Sequence, residues 1–420
     1  MALDVPDRIE GYPDASRYID AGADPEIVQD PYPTLARVME HGPVQKAENG
    51  RVAGVRLPDN FMFEQNCPEV YFALTYSACR KVGMDAKNFS NASAYGPTLG
   101  RTFGETLMAL DAPRHTQLKR LVLPAFSHRI VNEDLVKIAT PVVNEALDRI
   151  VDKGRGELIA DFCAGFPFVV VARILGVPDD LAQEAEDLVI AATTMHDDPA
   201  RALAALDEMN TLYMKVVQAH RQGGYDDLTS ALLEAEIDGA KLTDDEVVGF
   251  IKQIIAAGLD TTVRATATFI YLMLEHPDQF EDLQRNPDLL ENAVYEAMRH
   301  QAAGGYLPRV ALNDVELEGV RIPAGSGVYG VIHSANRDPA RWDDPERFDI
   351  RRPRQQFMTL GTGPHACLGA NLTIAEQMIA LKAVFARLKN LRKDPDRWDD
   401  AKLRGFQLRS PTQLPVLWDA

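Results

Sequence analysis

The chain has 420 residues, 46% of them hydrophobic and 25% charged. That balance excludes an intrinsically disordered polymer and leaves enough length to bury a large core with a cofactor inside it. Asp and Glu outnumber Lys and Arg by 62 to 44, and the net charge of −18 argues against nucleic acid or an anionic membrane as partner.

Residues 1–20 are polar, with no signal core and no spanning run, so neither export nor membrane anchoring is expected. Asp30-Pro31-Tyr32-Pro33 opens an amphipathic helix that closes near His41-Gly42, and strand-like runs follow at 52–57 and 70–75. Residues 88–108 are rich in Gly, Ser, Thr and Asn and are expected to form a long functional loop. Residues 113–223 are mostly helical by period, with breaks at 154–156 and 176–178. Thr243-Asp244-Asp245-Glu246 is a capping box. It opens the longest helical run, to about Glu275, apolar on nearly every face at 251–257 and so expected to be buried. A second helix is expected over 289–300. Val315, Leu317, Val320 and Ile322 then alternate with charged residues before Pro323-Ala324-Gly325, a hairpin signal. A final helix is expected over 368–388. No repeat and no Gly/Ser linker interrupts this order, so a single domain spanning 1–420 is expected, mainly α with small β-sheets (α+β).

Three constellations carry chemistry. In Leu360-Gly361-Thr362-Gly363-Pro364-His365-Ala366-Cys367-Leu368-Gly369, a glycine-punctuated loop delivers one cysteine to a helix start. Glycines permit positive φ and close approach of a flat partner. A sulfur at a helix N-terminus faces unpaired N–H groups and the positive dipole end, which stabilise a thiolate fit to ligate iron. A lone cysteine is usually a core residue, but three glycines and a histidine at fixed offsets favour the ligand. The four cysteines (67, 79, 163 and 367) form no CxxC pair, so a disulfide framework and a zinc site are both disfavoured and reduced, cytoplasmic thiols fit. Second, Ala257-Gly258-Leu259-Asp260-Thr261-Thr262 places an acid and a hydroxyl in the middle of the apolar helix. Two readings stand: a local distortion that opens a groove beside the polar pair, or a salt-bridged Asp and a Thr bonded back to its own helix. Third, Glu296-Ala297-Met298-Arg299 has the i,i+3 spacing of a helical ion pair.

Together, and in this order along nearly the whole chain, these segments resemble the cytochrome P450 superfamily. The cysteine loop matches F-G-x-G-x-H-x-C-x-G with Leu360 in place of Phe, and the mid-helix segment matches A/G-G-x-D/E-T. Glu296-Ala297-Met298-Arg299 matches E-x-x-R, with Arg347 of Pro345-Glu346-Arg347-Phe348 completing a structural triad. The resemblance implies a triangular, helix-rich fold with haem b between the long helix and the cysteine-loop helix. Cys367 would be the axial iron ligand, within a loop shaped by Gly361, Gly363 and Gly369. His115 with Lys119, where the family pattern H-x-x-x-R has Arg, would join Arg309 and His365 in holding the propionates. Thr261 would hydrogen-bond the oxygen or its proton-delivering water, and Asp260 would relay protons from solvent. The stretch Gln301–Gly305 departs from the family, which commonly has a proline there.

The resemblance further implies a soluble bacterial-type haem-thiolate monooxygenase that hydroxylates a small to mid-sized, mostly apolar molecule with O2. No flavin or NAD fingerprint and no fused reductase is seen, so a separate iron–sulfur ferredoxin with its reductase is expected to supply electrons. It would dock on cations among Arg114, Lys119, Arg120 and Arg129, and the protein is expected to be a monomer. The pocket would be lined by Leu99, Phe103, Ala257, Thr261, Tyr306, Leu307, Gln407 and Leu408, each equally open to ordinary core packing. The alternatives are a peroxygenase or non-oxygenase haem enzyme of the same fold, a non-catalytic haem-based ligand binder, and a helical scaffold without cofactor. The acid–Thr pair favours the oxygen route.

Overall fold

The caps legible in the sequence start the helices. Asp30 Oδ1 accepts from Tyr32 N–H (3.3 Å) ahead of Pro31–Met39, and Thr75 Oγ1 accepts from Ala78 N–H (3.3 Å) ahead of α1 (Tyr76–Met84). Each satisfies an orphan donor of a first turn, typically about 1 kcal/mol of helix stability. The computed structural model describes residues 20–58, 67–126 and 133–420, apart from positions 98, 134, 179, 182–183, 186, 189–190, 192–198 and 238. The helical body comprises α2 (Arg114–Val122), α3 (Leu135–Asp148), α4 (Phe166–Ile174), α5 (Pro199–Arg221), α6 (Asp244–Glu275), α7 (Leu290–His300) and α8 (Ala370–Arg387).

The capping box opens α6 as the sequence predicts: Thr243 N–H donates to Glu246 Oε2 (2.8 Å) and Glu246 N–H donates to Thr243 Oγ1 (3.2 Å). Its 32 residues extend about 48 Å. The helix touches α4, α5, α7 and α8, so Val247, Phe250, Ile251, Ile255, Val263, Phe269, Ile270 and Met273 are all buried. Each such side chain contributes about 1.5–3 kcal/mol, which makes α6 the axis of the core. The helix runs through Gly258 without a break in its assignment. A Cβ at Gly258 would stand 3.7 Å from Val171, an ordinary contact, so crowding does not require the glycine.

A five-stranded sheet lies beside the helices, built from β1 (Val44–Lys46), β2 (Val70–Ala73), β3 (Phe89–Ser90), β4 (Tyr306–Ala311) and β5 (Gly327–Val331) in the order β1-β2-β5-β4-β3. β5 pairs parallel to β2 and antiparallel to β4, setting Arg309 opposite Val328. The expected hairpin is present, Val315–Leu317 against Val320–Ile322. Two local expectations are corrected. Residues 88–108 are not a structureless loop but carry β3, the turns of helix Ala92–Tyr95 and Leu99–Phe103, and a 3-10 turn at Leu107–Ala109. Asp111 stabilises this segment by accepting from the Asn91 (2.9 Å) and Ala92 (3.2 Å) amides. The 52–57 run forms only the bridge Val52–Val55. Among the described residues no helix is long and apolar enough to cross a membrane.

Candidate active site

A cavity of about 560 Å3 opens between α6, α7, the cysteine loop and the Leu99–Phe103 turn. From α6 it takes Gln253, Ala257, Thr261, Ala265 and Thr268, a stripe at helical spacing. The opposite wall holds Leu360, Cys367 and Thr373, so the lone cysteine and the acid–Thr segment face one space. Leu99, Phe103 and Leu408 also line it, whereas Tyr306, Leu307 and Gln407 do not. Tyr306 packs instead among Phe72, Tyr329 and Phe406, Leu307 lies against the core under the sheet, and the Gln407 carboxamide nitrogen is buried without a hydrogen-bond partner.

The cysteine loop is shaped by backbone conformation. Gly361 (φ 68°) and Gly363 (φ 71°) occupy the left-handed region, and a Cβ on Gly363 would collide with the Gly83 carbonyl of α1. Gly369 differs from its neighbours: at φ −85° it is the N-cap of α8, and a Cβ there would meet nothing within 4 Å. Cys367 N–H donates to the Leu360 carbonyl (2.9 Å). Its sulfur accepts from the Gly369 amide and feels the Lys119 charge, yet burial is the larger effect and pushes the thiol up.

The Glu296–Arg299 pair explains how this loop is held. Both side chains are about 2–3% exposed and paired at 2.7 Å. Arg299 also donates to the Asn336 carbonyl (3.0 Å). The Asn336 side chain accepts from Met358 N–H (2.7 Å) and donates to Thr359 Oγ1 (2.8 Å), which in turn donates to the Met298 carbonyl (2.7 Å). An unbroken polar chain thus joins α7 to the residue before Leu360. The guanidinium that completes the triad is not that of Arg347, which is 61% exposed and only 4.0 Å from Asp349. Arg352 Nε reaches Glu296 at 3.1 Å instead, and Arg347 supplies its carbonyl to both Arg299 (3.2 Å) and Arg352 (2.9 Å).

Asp260 and Thr261 make the contacts of the structural alternative. Arg264 Nε donates to Asp260 Oδ2 (2.7 Å), with Arg264 Nη1 fixed by Ser410 Oγ (2.9 Å), and Thr261 Oγ1 donates to the Ala257 carbonyl (2.7 Å). Both residues are nonetheless partly exposed, and Thr261 borders the cavity.

The four residues expected to hold carboxylates cluster. The His115 and His365 rings lie 4.0 Å apart. Lys119 Nζ donates to the Pro364 carbonyl (2.5 Å), and Arg309 is 3% exposed and donates to the Pro308 carbonyl (2.7 Å). Burial, then the neighbouring ring and cations, hold His365 down to about 3, and burial likewise lowers His115 and Arg309. No carboxylate stands within ion-pair distance of Arg309 among the described residues. A buried guanidinium with no carboxylate at ion-pair distance among the described residues, beside two histidines and a lysine, fits an anionic group that enters with a cofactor. On the docking side, Arg120 is exposed, Arg114 is paired with Glu246, and Arg129 lies outside the described residues.

Comparison with known proteins agrees with this geometry. Residues 186–413 match the cytochrome P450 family. The chain is 32% identical over 404 residues to cytochrome P450 monooxygenase PikC of Streptomyces venezuelae, covering 94% of this chain and 92% of that one. It is also 32% identical over 320 residues (74% and 79%) to mycinamicin IV hydroxylase/epoxidase of Micromonospora griseorubida. Among solved structures it resembles CYP109E1 of Bacillus megaterium in complex with testosterone, with TM-score 0.82, 26% identity, and 93% and 100% coverage. With its cysteine loop and acid–Thr helix meeting at one cavity, and family relatives that match it over most of its length, the chain belongs to the cytochrome P450 family, oxygen-dependent monooxygenases that carry haem b.

Proposed function

We propose that the chain hydroxylates a C–H bond of a mid-sized, mostly apolar molecule, with Cys367 as the axial thiolate. The observation that carries this reading is the single cavity shared by Cys367 and the Ala257–Thr261 stripe. The family's haem b would be held by Cys367 from the α8 side and by His115, Lys119, Arg309 and His365 around its carboxylates; Gly369, open above its Cα, leaves room for a flat group. When bound, the haem supplies dioxygen activation, favoured by the electron-rich thiolate.

The remaining work belongs to this chain's side chains. Thr261 keeps its proton on the Ala257 carbonyl and presents its oxygen lone pairs to the cavity, so it orders a water as that water donates. Asp260, 29% exposed, exchanges protons with solvent once it swings from Arg264, and passes them inward. Apolar walls, Leu99, Phe103, Ala257 and Leu408, exclude bulk water and favour an apolar skeleton. The relatives that are hydroxylases or bind a steroid support a mid-sized substrate. Electrons would come from a separate ferredoxin docking near exposed Arg120, in the cytoplasm, to a monomer. Arg120→Glu is expected to slow ferredoxin-driven turnover at low salt and to flatten its salt dependence.

The test is the carbon monoxide difference spectrum of the dithionite-reduced protein. A strongly red-shifted Soret band, lost in Cys367→Ser and Cys367→His, is the expected result. A haem band without that shift refutes thiolate ligation, and no haem at all refutes the whole reading.

A further inference from the structure

Resting on the reading of the cavity as a substrate site, we infer that the Gln301 carboxamide is its oriented hydrogen-bond donor and that the substrate bears a carbonyl oxygen to meet it. Gln301 is the C-cap of α7, in the stretch where the sequence departs from the family pattern, and it lines the cavity. Its side-chain oxygen accepts from Arg409 Nε (2.8 Å) and from the Tyr32 hydroxyl (3.1 Å). Both partners are buried and fixed. Arg409 is 3% exposed and its Nη1 is held by the Gln29 (3.1 Å) and Gly405 (3.2 Å) carbonyls, while the Arg337 guanidinium covers the Tyr32 ring at 3.3 Å.

A guanidinium can only donate, so the amide atom facing Arg409 must be the oxygen. The amide nitrogen, with two donor hydrogens, is therefore turned the other way, and it has no hydrogen-bond partner among the described residues. Two other hydroxyls of the wall are already committed, whereas that of Thr268 has no hydrogen-bond partner and so nothing that fixes its direction. The Thr261 hydroxyl donates to Ala257 and that of Thr359 to Met298, each at 2.7 Å. Gln253 also borders the cavity, but no neighbour fixes its amide in one orientation among the described residues. Beside Gln301 the wall is formed by Ala303 and Gly304, and a Cβ added at Gly304 would touch nothing within 4 Å. The recess admits a substrate group as far as the amide. A donor pre-oriented by a buried cation binds an acceptor oxygen without first losing rotamer freedom, and it discriminates against an analogue that leaves it unpaired.

The experiment titrates the holoprotein, after its carbon monoxide spectrum has been recorded, with ketones and hydrocarbons of matched carbon skeleton, from monocyclic to steroid size, reading the Soret spin-state shift. The wild type is expected to bind at least one ketone about tenfold more tightly than its hydrocarbon partner. Gln301→Met is expected to bind the two alike. Gln301→Glu, which preserves acceptance from Arg409 and Tyr32 but offers the cavity an acceptor, is expected to favour the hydrocarbon, and it carries the test if Gln301→Met does not fold. The inference is overturned if no ketone shifts the wild-type spectrum, if the ketone preference survives in either variant, or if the variants change the haem spectrum while leaving the preference intact. A wild-type protein without the red-shifted carbon monoxide band would instead defeat the haem-thiolate reading beneath it.

Discussion

The buried triad should rank three arginines in an order that the sequence pattern alone does not give. Arg299 is 2% exposed; it makes a two-point contact with Glu296 (2.7 and 2.8 Å) and donates to the carbonyls of Asn336, Pro345 and Arg347. Arg299→Ala leaves the buried Glu296 carboxylate with only the Arg352 Nε and Asp349 N–H contacts on one oxygen and takes a donor from three carbonyls, a loss of about 3–5 kcal/mol. Arg352 is 11% exposed and reaches Glu296 through one atom at 3.1 Å, with further bonds to the carbonyls of Asp343, Asp344 and Arg347. Arg352→Ala leaves Glu296 still paired with Arg299 and should cost about 2 kcal/mol. Arg347→Ala removes an exposed pair at 4.0 Å and spares the backbone carbonyl that both partners use, so its cost should stay below about 1 kcal/mol. Urea unfolding followed by circular dichroism separates these values, since at an m value of about 3 kcal/mol per molar the Arg299→Ala midpoint should fall by roughly 1–1.7 M. Equal shifts for Arg347→Ala and Arg352→Ala, or a shift under about 0.3 M for Arg299→Ala, would refute the assignment of Arg352 as the third member.

Thr261→Ala is expected to leave the reduced carbon monoxide spectrum unchanged while product formed per NADH consumed, with a surrogate ferredoxin system, falls about tenfold; unchanged coupling would remove Thr261 from proton delivery. Both ring nitrogens of His220 face acceptors, the Val216 carbonyl (2.8 Å) and Asp227 Oδ2 (2.9 Å), and although burial alone would lower it, the Asp227 and Val216 bonds together raise its pKa. A raised folded pKa means stability fully present below about pH 6.5 and lost as pH rises through the folded value, so His220→Gln should destabilise at pH 6 and matter less at pH 9. Glu376 is 2% exposed, one of its carboxyl oxygens lacks a hydrogen-bond partner, and burial pushes it up to about 8. The native state holds this proton where the unfolded chain releases it, so stability should fall as pH rises from about 4.5 to 8; Glu376→Gln should abolish that slope and be the more stable protein at pH 8, by denaturant midpoint.

What could be read in advance was what sequence-local physics determines. The Thr243–Glu246 cap, the length of α6, the Val315–Ile322 hairpin and the positive φ of Gly361 and Gly363 each depend on residues within a few positions of one another, and each stands as the pattern dictates. What could not be read was partner choice across the chain. Arg352 outcompetes Arg347 for Glu296 because the chain turns at Asp349–Arg352, where the Asp349 N–H donates to Glu296 Oε1 (3.0 Å) and brings Arg352 inward. No spacing rule for Pro345–Phe348 contains that turn. The 88–108 stretch misled because its Gly, Ser and Asn content masks short helices stabilised by Asp111, a residue outside the stretch itself. Likewise Tyr306 alternates in β4 as a cavity residue would, but Phe72, Tyr329 and Phe406 claim its ring.

The same distinction separates the two halves of the site. On the α8 side, every polar group from Glu296 through Arg299, Asn336 and Thr359 is matched by a buried partner, so the geometry around Cys367 is over-determined and a one-atom change there should be felt as stability. On the α6 side, the Thr261 hydroxyl donates to the Ala257 carbonyl and the Asp260 carboxylate accepts from Arg264, and both residues are partly exposed, so these contacts can be exchanged for water. Exchangeable contacts are what proton delivery requires, because a group locked by several buried bonds cannot change partners during turnover. Both earlier readings of the Asp260–Thr261 pair are therefore compatible: the salt bridge and the back-bond store the pair in one arrangement, and its exposure to the cavity and to solvent lets it leave that arrangement. Arg264→Gln should separate them further, since it removes the storage contact and keeps the acid. If storage is all that Arg264 provides, the variant should lose about 1–2 kcal/mol of stability and retain proton-coupled turnover. A variant of unchanged stability that had lost turnover would instead make Arg264 part of the proton route.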